Sequence, residues 1–202
     1  MANLDNPHGL IPLRRLGGGP LPSCTRYRKE ASVILGIGDP VVHAGGASTA
    51  GTNGALENGI PTVTRAAAAS GTITGVAMFF EIDAGVAGRA HQTLHMAAAD
   101  KGYVYVMDDP MVVFGIQEDS DGNSLVMADV GEGVDITIGN ADTNTGLSIC
   151  EIDSSTSAAQ IGNADQLRLM ALVNAPDNEF AANAEWEVMI NEHTYAGVGT
   201  MI

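Results

Sequence analysis

The chain has 202 residues, of which 45% are hydrophobic, 16% are charged and 4% are aromatic. Its 24 acidic and nine basic residues give a formal net charge of −15, which argues against a general nucleic-acid binder. The composition excludes a disordered acidic tail, a coiled coil and a disulfide miniprotein. It predicts a loop-rich folded domain with an aliphatic core and with its 25 glycines placed at tight turns.

The first 29 residues differ from the rest of the chain in charge and composition. They carry five basic side chains and one acidic one, whereas residues 30–202 carry four basic and 23 acidic ones. Four prolines and the run 17–19, which is all glycine, oppose a regular helix here. The sequence therefore predicts an extended basic arm over 1–29, whose apolar residues lie on another surface, and an acidic body over 30–202.

The body alternates apolar and polar residues in short segments that turn residues separate, which predicts strands. Predicted strands cover 31–37, 41–43, 61–64, 71–83, 103–107, 111–117, 124–128, 134–138, 147–152, 166–173 and 185–193. One helix is predicted over 86–101. The spacing indicates an all-β protein, an antiparallel β-barrel or sandwich of the jelly-roll or β-tulip kind with an extended N-terminal arm. Trp186 is predicted to anchor the core, with a role at an oligomer interface as the alternative.

Few residues point to chemistry. His91 and His95 have the i, i+4 spacing of a zinc site, but no acidic residue precedes Asp100 in that stretch. Residues 118–123 contain the start of a calcium loop without its closing glutamate, and a hairpin turn explains them equally well. Cys24 and Cys150 are predicted to be reduced thiols, with a single bridge as the alternative. No nucleophile elbow, P-loop or dinucleotide fingerprint occurs. We therefore expect no enzyme activity, no metal and no cofactor.

Six blocks of the sequence resemble a family of head decoration proteins, also called cement or minor capsid proteins, of tailed bacteriophages. The blocks are 1–16, which begins MANLDNPHGL, GDPV at 38–41, GIPTVT at 59–64, YVYVMDDPMVVFGIQ at 103–117, GLSICEIDSST at 146–156 and the segment 175–193, which contains PDNE and INEH. Their order along nearly the whole chain carries the resemblance. The segment 86–101 departs from it, since a shorter and more extended connector is expected there.

The resemblance implies a structural protein that is made in the host cytoplasm and binds the outside of the capsid. Its expected partners are the major capsid protein and further copies of itself, as a dimer or trimer, with no nucleic acid and no membrane. The expected capsid contacts in the arm are Leu10, Ile11, Leu13, Arg14, Arg15, Leu16, Arg26 and Arg28. Deletion of 1–29 is then expected to abolish capsid binding and to leave the body folded. The alternatives are a tail, head-fibre or host-surface binding component of the virion, and a metal-dependent enzyme that uses His91 and His95.

Overall fold

The computed structural model describes residues 3–30, 32–47, 59–83, 92–156 and 165–196. The strands in chain order are β1 (Ile11–Arg15), β2 (Thr25–Lys29), β3 (Leu35–Gly36), β4 (Pro40–Ala47), β5 (Pro61–Arg65), β6 (Gly75–Ile82), β7 (Gln92–Thr93), β8 (His95–Met96), β9 (Gly102–Met107), β10 (Val112–Gln117), β11 (Gly133–Val134), β12 (Ile136–Thr137), β13 (Glu151–Ile152), β14 (Leu167–Leu172) and β15 (Glu185–Ile190). Two single-turn 3₁₀ helices, Met127–Asp129 and Ser154–Thr156, complete these elements. The all-β prediction is confirmed. No helix in the described ranges is long and apolar enough to cross a membrane.

A five-stranded antiparallel sheet has the order β1-β10-β15-β14-β11. Its central strand β15 alternates as the sequence predicts, with Trp186, Val188 and Ile190 buried and the residues between them half-buried. Strand β10 is buried throughout, because it lies between β1 and β15 and is covered on both faces. β1 lies at the edge of the sheet, where a proline such as Pro12 is tolerated.

The second sheet closes on itself. Its order is β4-β5-β2-β9-β6-β7, and a further antiparallel pairing of β4 with β6 joins the two sides. Strands β4, β5, β2, β9 and β6 therefore form a small barrel in which only the β2–β5 pair is parallel. The barrel encloses one hydrophobic cluster, which includes Tyr27, Val104 and Phe80. A larger cluster around Trp186 and Phe114 packs on the five-stranded sheet.

Residues 1–29 contribute to both sheets. Strand β1 hydrogen-bonds to β10, and β2 lies between β5 and β9 inside the barrel wall. The segment predicted as an arm is thus tied to the body by backbone ladders at 11–15 and 25–29. Its prolines and glycines occupy the connections around these strands, where Gly17, Gly18 and Gly19 all adopt positive φ.

Two predicted elements are wrong in the described ranges. Residues 92–101, predicted as the second half of a helix, contain β7 and β8, which pair with β6 and β3. Tertiary pairing thus prevails over the weak helical pattern, and residues 86–91 lie outside the described residues. Residues 124–126 of the predicted strand 124–128 form a loop, and residues 127–128 belong to the first 3₁₀ helix. Asp129 of this helix accepts a hydrogen bond from the Val126 amide at 2.7 Å.

Candidate interaction surface

Residues Ile11–Leu16, which we call the β1 ribbon, form an exposed apolar and basic strip along the free edge of the five-stranded sheet. Ile11 and Leu13 are each 40% exposed and Leu16 is 36% exposed. A β-bulge between Pro12 and Arg14 interrupts the register with β10 at Leu13. The Leu13 side chain lies against Gly115 of β10, where the two Leu13 methyl carbons would come within 3.5 Å of an added Cβ. Glycine at this position therefore leaves room for Leu13 on the sheet.

The two arginines of the β1 ribbon are paired with acidic groups of the same chain. Arg14 Nη2 lies 2.6 Å from Glu187 Oε2, and Arg15 Nε lies 3.0 Å from Asp109 Oδ2. The arginine side chains are 48% and 44% exposed. Exposed ion pairs of this kind contribute about 0–1 kcal/mol, so both guanidinium groups can exchange these partners for carboxylates of another protein at little cost.

Three predicted contact residues lie apart from the ribbon or are buried. Leu10 is fully buried in the larger cluster, and its amide donates to the Gly38 carbonyl at 2.9 Å. Arg28 is 6% exposed and pairs with Asp83, because β2 occupies the interior of the sheet. Leu10 and Arg28 are therefore corrected from capsid contacts to structural residues. Arg26 is exposed, and its guanidinium lies over the ring of Tyr103 at 4.6 Å.

Trp186 is a core residue, and its predicted alternative role at an oligomer interface is corrected, since it is fully buried. Its indole Nε1 donates a hydrogen bond to Glu118 Oε2 at 2.8 Å, and Glu118 is fully buried as well. Burial raises the pKa of Glu118 to about 7, although the hydrogen bonds from Trp186 and from the Leu125 amide oppose this shift. The sequence analysis placed Glu118 in a partial calcium loop or a hairpin turn; its position directly after the buried strand β10 is the signal that was missed.

Three carboxylates gather where the predicted calcium loop meets β13. One oxygen each of Asp119, Asp121 and Asp153 lies within 4.8 Å of the others. Carboxylates in this arrangement suit a hard cation. However, Ser154 Oγ already donates to Asp119 at 2.7 Å and to Asp121 at 3.0 Å, so the cluster holds the two loops together through its own hydrogen bonds. Asp153 was missed because it lies far along the sequence from the loop.

Among the described residues, His95 of the predicted pair His91 and His95 does not belong to a cluster of potential metal ligands. His95 belongs to β8 and pairs through its backbone with Gly36, whereas His91 lies outside the described residues. Both cysteines are free thiols. Burial raises the pKa of Cys24 and, more strongly, that of Cys150, so both remain protonated at neutral pH.

A directed chain of hydrogen bonds ties the C-terminal part of the described residues to the barrel. The Tyr27 hydroxyl lies 2.8 Å from both Asp108 Oδ2 and the Tyr195 hydroxyl, and His43 Nε2 lies 2.7 Å from the latter. Because a carboxylate only accepts, Tyr27 donates to Asp108, Tyr195 donates to Tyr27, and His43 donates to Tyr195. The arrangement fixes the His43 tautomer and holds Tyr195 against β2 and β4. The sequence analysis did not find it, since its members come from four distant segments.

No protein family, curated protein or solved structure matches this chain.

Proposed function

We propose that this protein is a capsid decoration protein, which binds the outside of a major capsid protein lattice in a tailed phage and stabilises the head. The β1 ribbon is the observation that carries the proposal. It places exposed leucine and isoleucine side chains beside two arginines on a chain whose net charge is −15. Apolar and arginine side chains together are characteristic of protein interfaces, from which lysine and acidic residues are depleted.

The geometry of β1 favours binding without a large ordering cost. β1 is held to β10 by a backbone ladder, so Leu13 and Leu16 are presented from a fixed edge. The outer side of an edge strand also offers backbone N–H and C=O groups to a partner. In a lattice, many weak contacts of this kind act together on one particle. Further copies of this chain, as a dimer or trimer, belong to the same proposal.

The test uses surface variants, because deletion of 1–29 would remove the interior strand β2 and unfold the barrel. We expect the variant Leu13→Ser, Arg14→Ser, Arg15→Ser, Leu16→Ser to bind shells of the major capsid protein at least about tenfold more weakly in co-sedimentation. The matched control, Met127→Ser with Arg168→Ser, changes an exposed apolar and an exposed basic residue elsewhere and should bind normally. Equal binding by the two variants would reject the ribbon as the capsid contact.

The copy number in purified virions tests the role itself. A decoration protein occurs at a simple fraction of the number of major capsid proteins, which quantitative mass spectrometry measures directly. A few copies per particle would replace this proposal with the tail or fibre alternative, and absence from the particle would reject both.

A further inference from the structure

A pocket of about 560 Å³ opens on the barrel beside β6 and β7, whereas the β1 ribbon belongs to the five-stranded sheet. Phe79 and Leu94 line it and are 62% and 59% exposed. Its polar lining comes from Glu81, Thr93 and Tyr105. The volume lies in the range of sites that hold small ligands. Large apolar side chains this exposed beside a concave site indicate a surface that a partner covers.

The polar side chains of the pocket present acceptors. The Tyr105 hydroxyl donates its proton to Glu81 Oε2 at 2.8 Å, and Thr93 Oγ1 donates its proton to the His95 carbonyl at 2.9 Å. Each hydroxyl then has only lone pairs left, and the Tyr105 oxygen already accepts a hydrogen bond from Arg26. The Glu81 carboxylate likewise offers only lone pairs. The hydrogen bond to Glu81 and burial raise the pKa of Tyr105, against the opposing charge and hydrogen bond of Arg26, so the phenol keeps its proton at neutral pH. This lining fits a ligand that donates hydrogen bonds and accepts none. Ammonium and guanidinium groups have this property.

The neighbouring part of the same barrel face already binds guanidinium groups. Arg26 and Arg28 of β2 lie over the ring of Tyr103 at 4.6 and 4.9 Å, and Arg28 also pairs with Asp83. Tyr103 and Tyr105 are alternate residues of β9 and so lie on one face of the barrel. Tyr105, with Phe79 and Glu81, offers the pocket the same combination of aromatic ring and carboxylate.

We propose that this pocket binds one arginine or lysine side chain carried by an extended segment of the major capsid protein. The aliphatic stem packs on Phe79 and Leu94, and the charged head meets Glu81, since the Tyr105 hydroxyl already accepts a hydrogen bond from Arg26. The acidic charge of the whole chain favours the approach of such a segment. The pocket chemistry stands by itself, whereas the identity of the partner rests on the proposed function.

The probe is the tripeptide Ac-Leu-Arg-Leu-NH₂, titrated into the ¹⁵N-labelled full chain, with the neutral isostere Ac-Leu-citrulline-Leu-NH₂ as its match. We expect the arginine peptide to shift the amide signals of residues 79–81, 93–94 and 105 and the citrulline peptide to bind roughly fivefold more weakly or worse. Glu81→Gln should weaken the arginine peptide by a similar factor. Asp177→Asn, which removes a charge from an exposed loop, should leave binding unchanged.

Four results would overturn the inference. Three concern the peptides: equal affinity for the two, unchanged affinity of Glu81→Gln, and shifts centred on the Asp119 loop instead of the pocket. The fourth is binding of a neutral saccharide such as methyl glucoside at the same residues, in place of the peptide. Failure of the pocket proposal can be distinguished from failure of the proposed function. Loss of peptide binding leaves the shell binding of the β1 ribbon untouched, and normal shell binding by the ribbon variant leaves the pocket result standing.

Discussion

Trp186 and Glu118 show how hydrogen bonds stabilise a buried carboxyl group. The indole N–H donates to Glu118 Oε2, and the Leu125 amide donates to the same oxygen at 3.3 Å. Glu118 Oε1 is buried without a hydrogen-bond partner among the described residues. Since a buried carboxyl group is costly unless it is hydrogen-bonded, the indole is the main compensation for Glu118. The tryptophan therefore serves both as the largest core side chain and as a polar partner.

This arrangement predicts a large cost for a substitution that keeps the ring but removes the donor. Trp186→Phe should lower the free energy of unfolding by about 2–4 kcal/mol, because it leaves a cavity and a less satisfied Glu118. Phe180→Leu is the matched control, since Phe180 packs edge-on against Trp186 but is 42% exposed. Urea denaturation of both variants checks the prediction. A loss for Trp186→Phe no greater than for Phe180→Leu would contradict it.

At the scale of elements, β1 has one buried anchor and an exposed ribbon. Leu10, directly before β1, is fully buried, whereas Leu13 within the strand is 40% exposed. Leu10→Ala should lower the free energy of unfolding by about 2–5 kcal/mol, and Leu13→Ala by less than about 1 kcal/mol. Chemical denaturation measures both. Equal and small effects would mean that the N-terminal segment does not pack on the body in solution.

Local runs of apolar residues were sufficient to predict the four six-residue strands, whereas the eight-residue strand β4 was predicted only over 41–43. Strands β9, β10, β14 and β15 follow patterns of Val, Ile, Leu and Tyr that the sequence shows directly, and their bounds agree with the prediction to within a few residues. The strands within 1–29 could not be predicted in the same way. Their partners β10 and β9 lie about 80 to 100 residues along the chain, and β5 lies 34 residues from its partner positions in β2. The prolines around these strands also favour a free segment over a strand.

The residues of the β1 ribbon were predictable only in part, because their exposure depends on distant pairing. Composition identified the basic and apolar character of 11–16, but only tertiary packing separates the exposed Leu13 from the buried Leu10. Likewise, Arg28 looks like a surface cation until β2 is placed inside the barrel wall beside Asp83. The pocket is lined by residues of three separate strands and of loops, so no local sequence pattern predicts it.

At the scale of the whole molecule, several acidic groups are placed where their charge is unfavourable. Burial raises the pKa of Asp39 to about 6 and the pKa values of Glu118 and Glu151 to about 7. Hydrogen bonds from Ser148 and the Gly36 amide oppose the shift at Asp39, and repulsion from Asp5 and Asp119 adds to it at Glu151. Between the unfolded pKa values near 4 and these folded values, the folded chain binds more protons than the unfolded chain.

The stability of this protein should therefore increase as the pH falls from 8 towards 5. The contribution of each raised carboxyl group is fully present below its unfolded pKa and is lost as the pH rises through its folded pKa. His193 acts in the opposite direction, because burial lowers its pKa. Its protonation below about pH 6.5 therefore disfavours the folded state. The three raised carboxyl groups outnumber this single histidine. We expect Tm to be about 5–10 °C higher at pH 5.5 than at pH 8.

Glu118→Gln tests whether Glu118 causes the dependence of Tm on pH, because glutamine keeps an acceptor for the Trp186 indole but cannot titrate. The variant should show a shallower dependence of Tm on pH, with most of its difference from the natural chain at pH 8, where the carboxylate is charged. Asp177→Asn removes the same charge from an exposed loop and should leave the slope unchanged. A Tm that is flat or that rises with pH would show that the buried carboxyl groups do not control the stability. Equal slopes for the two variants would show that net charge, and not burial, controls it.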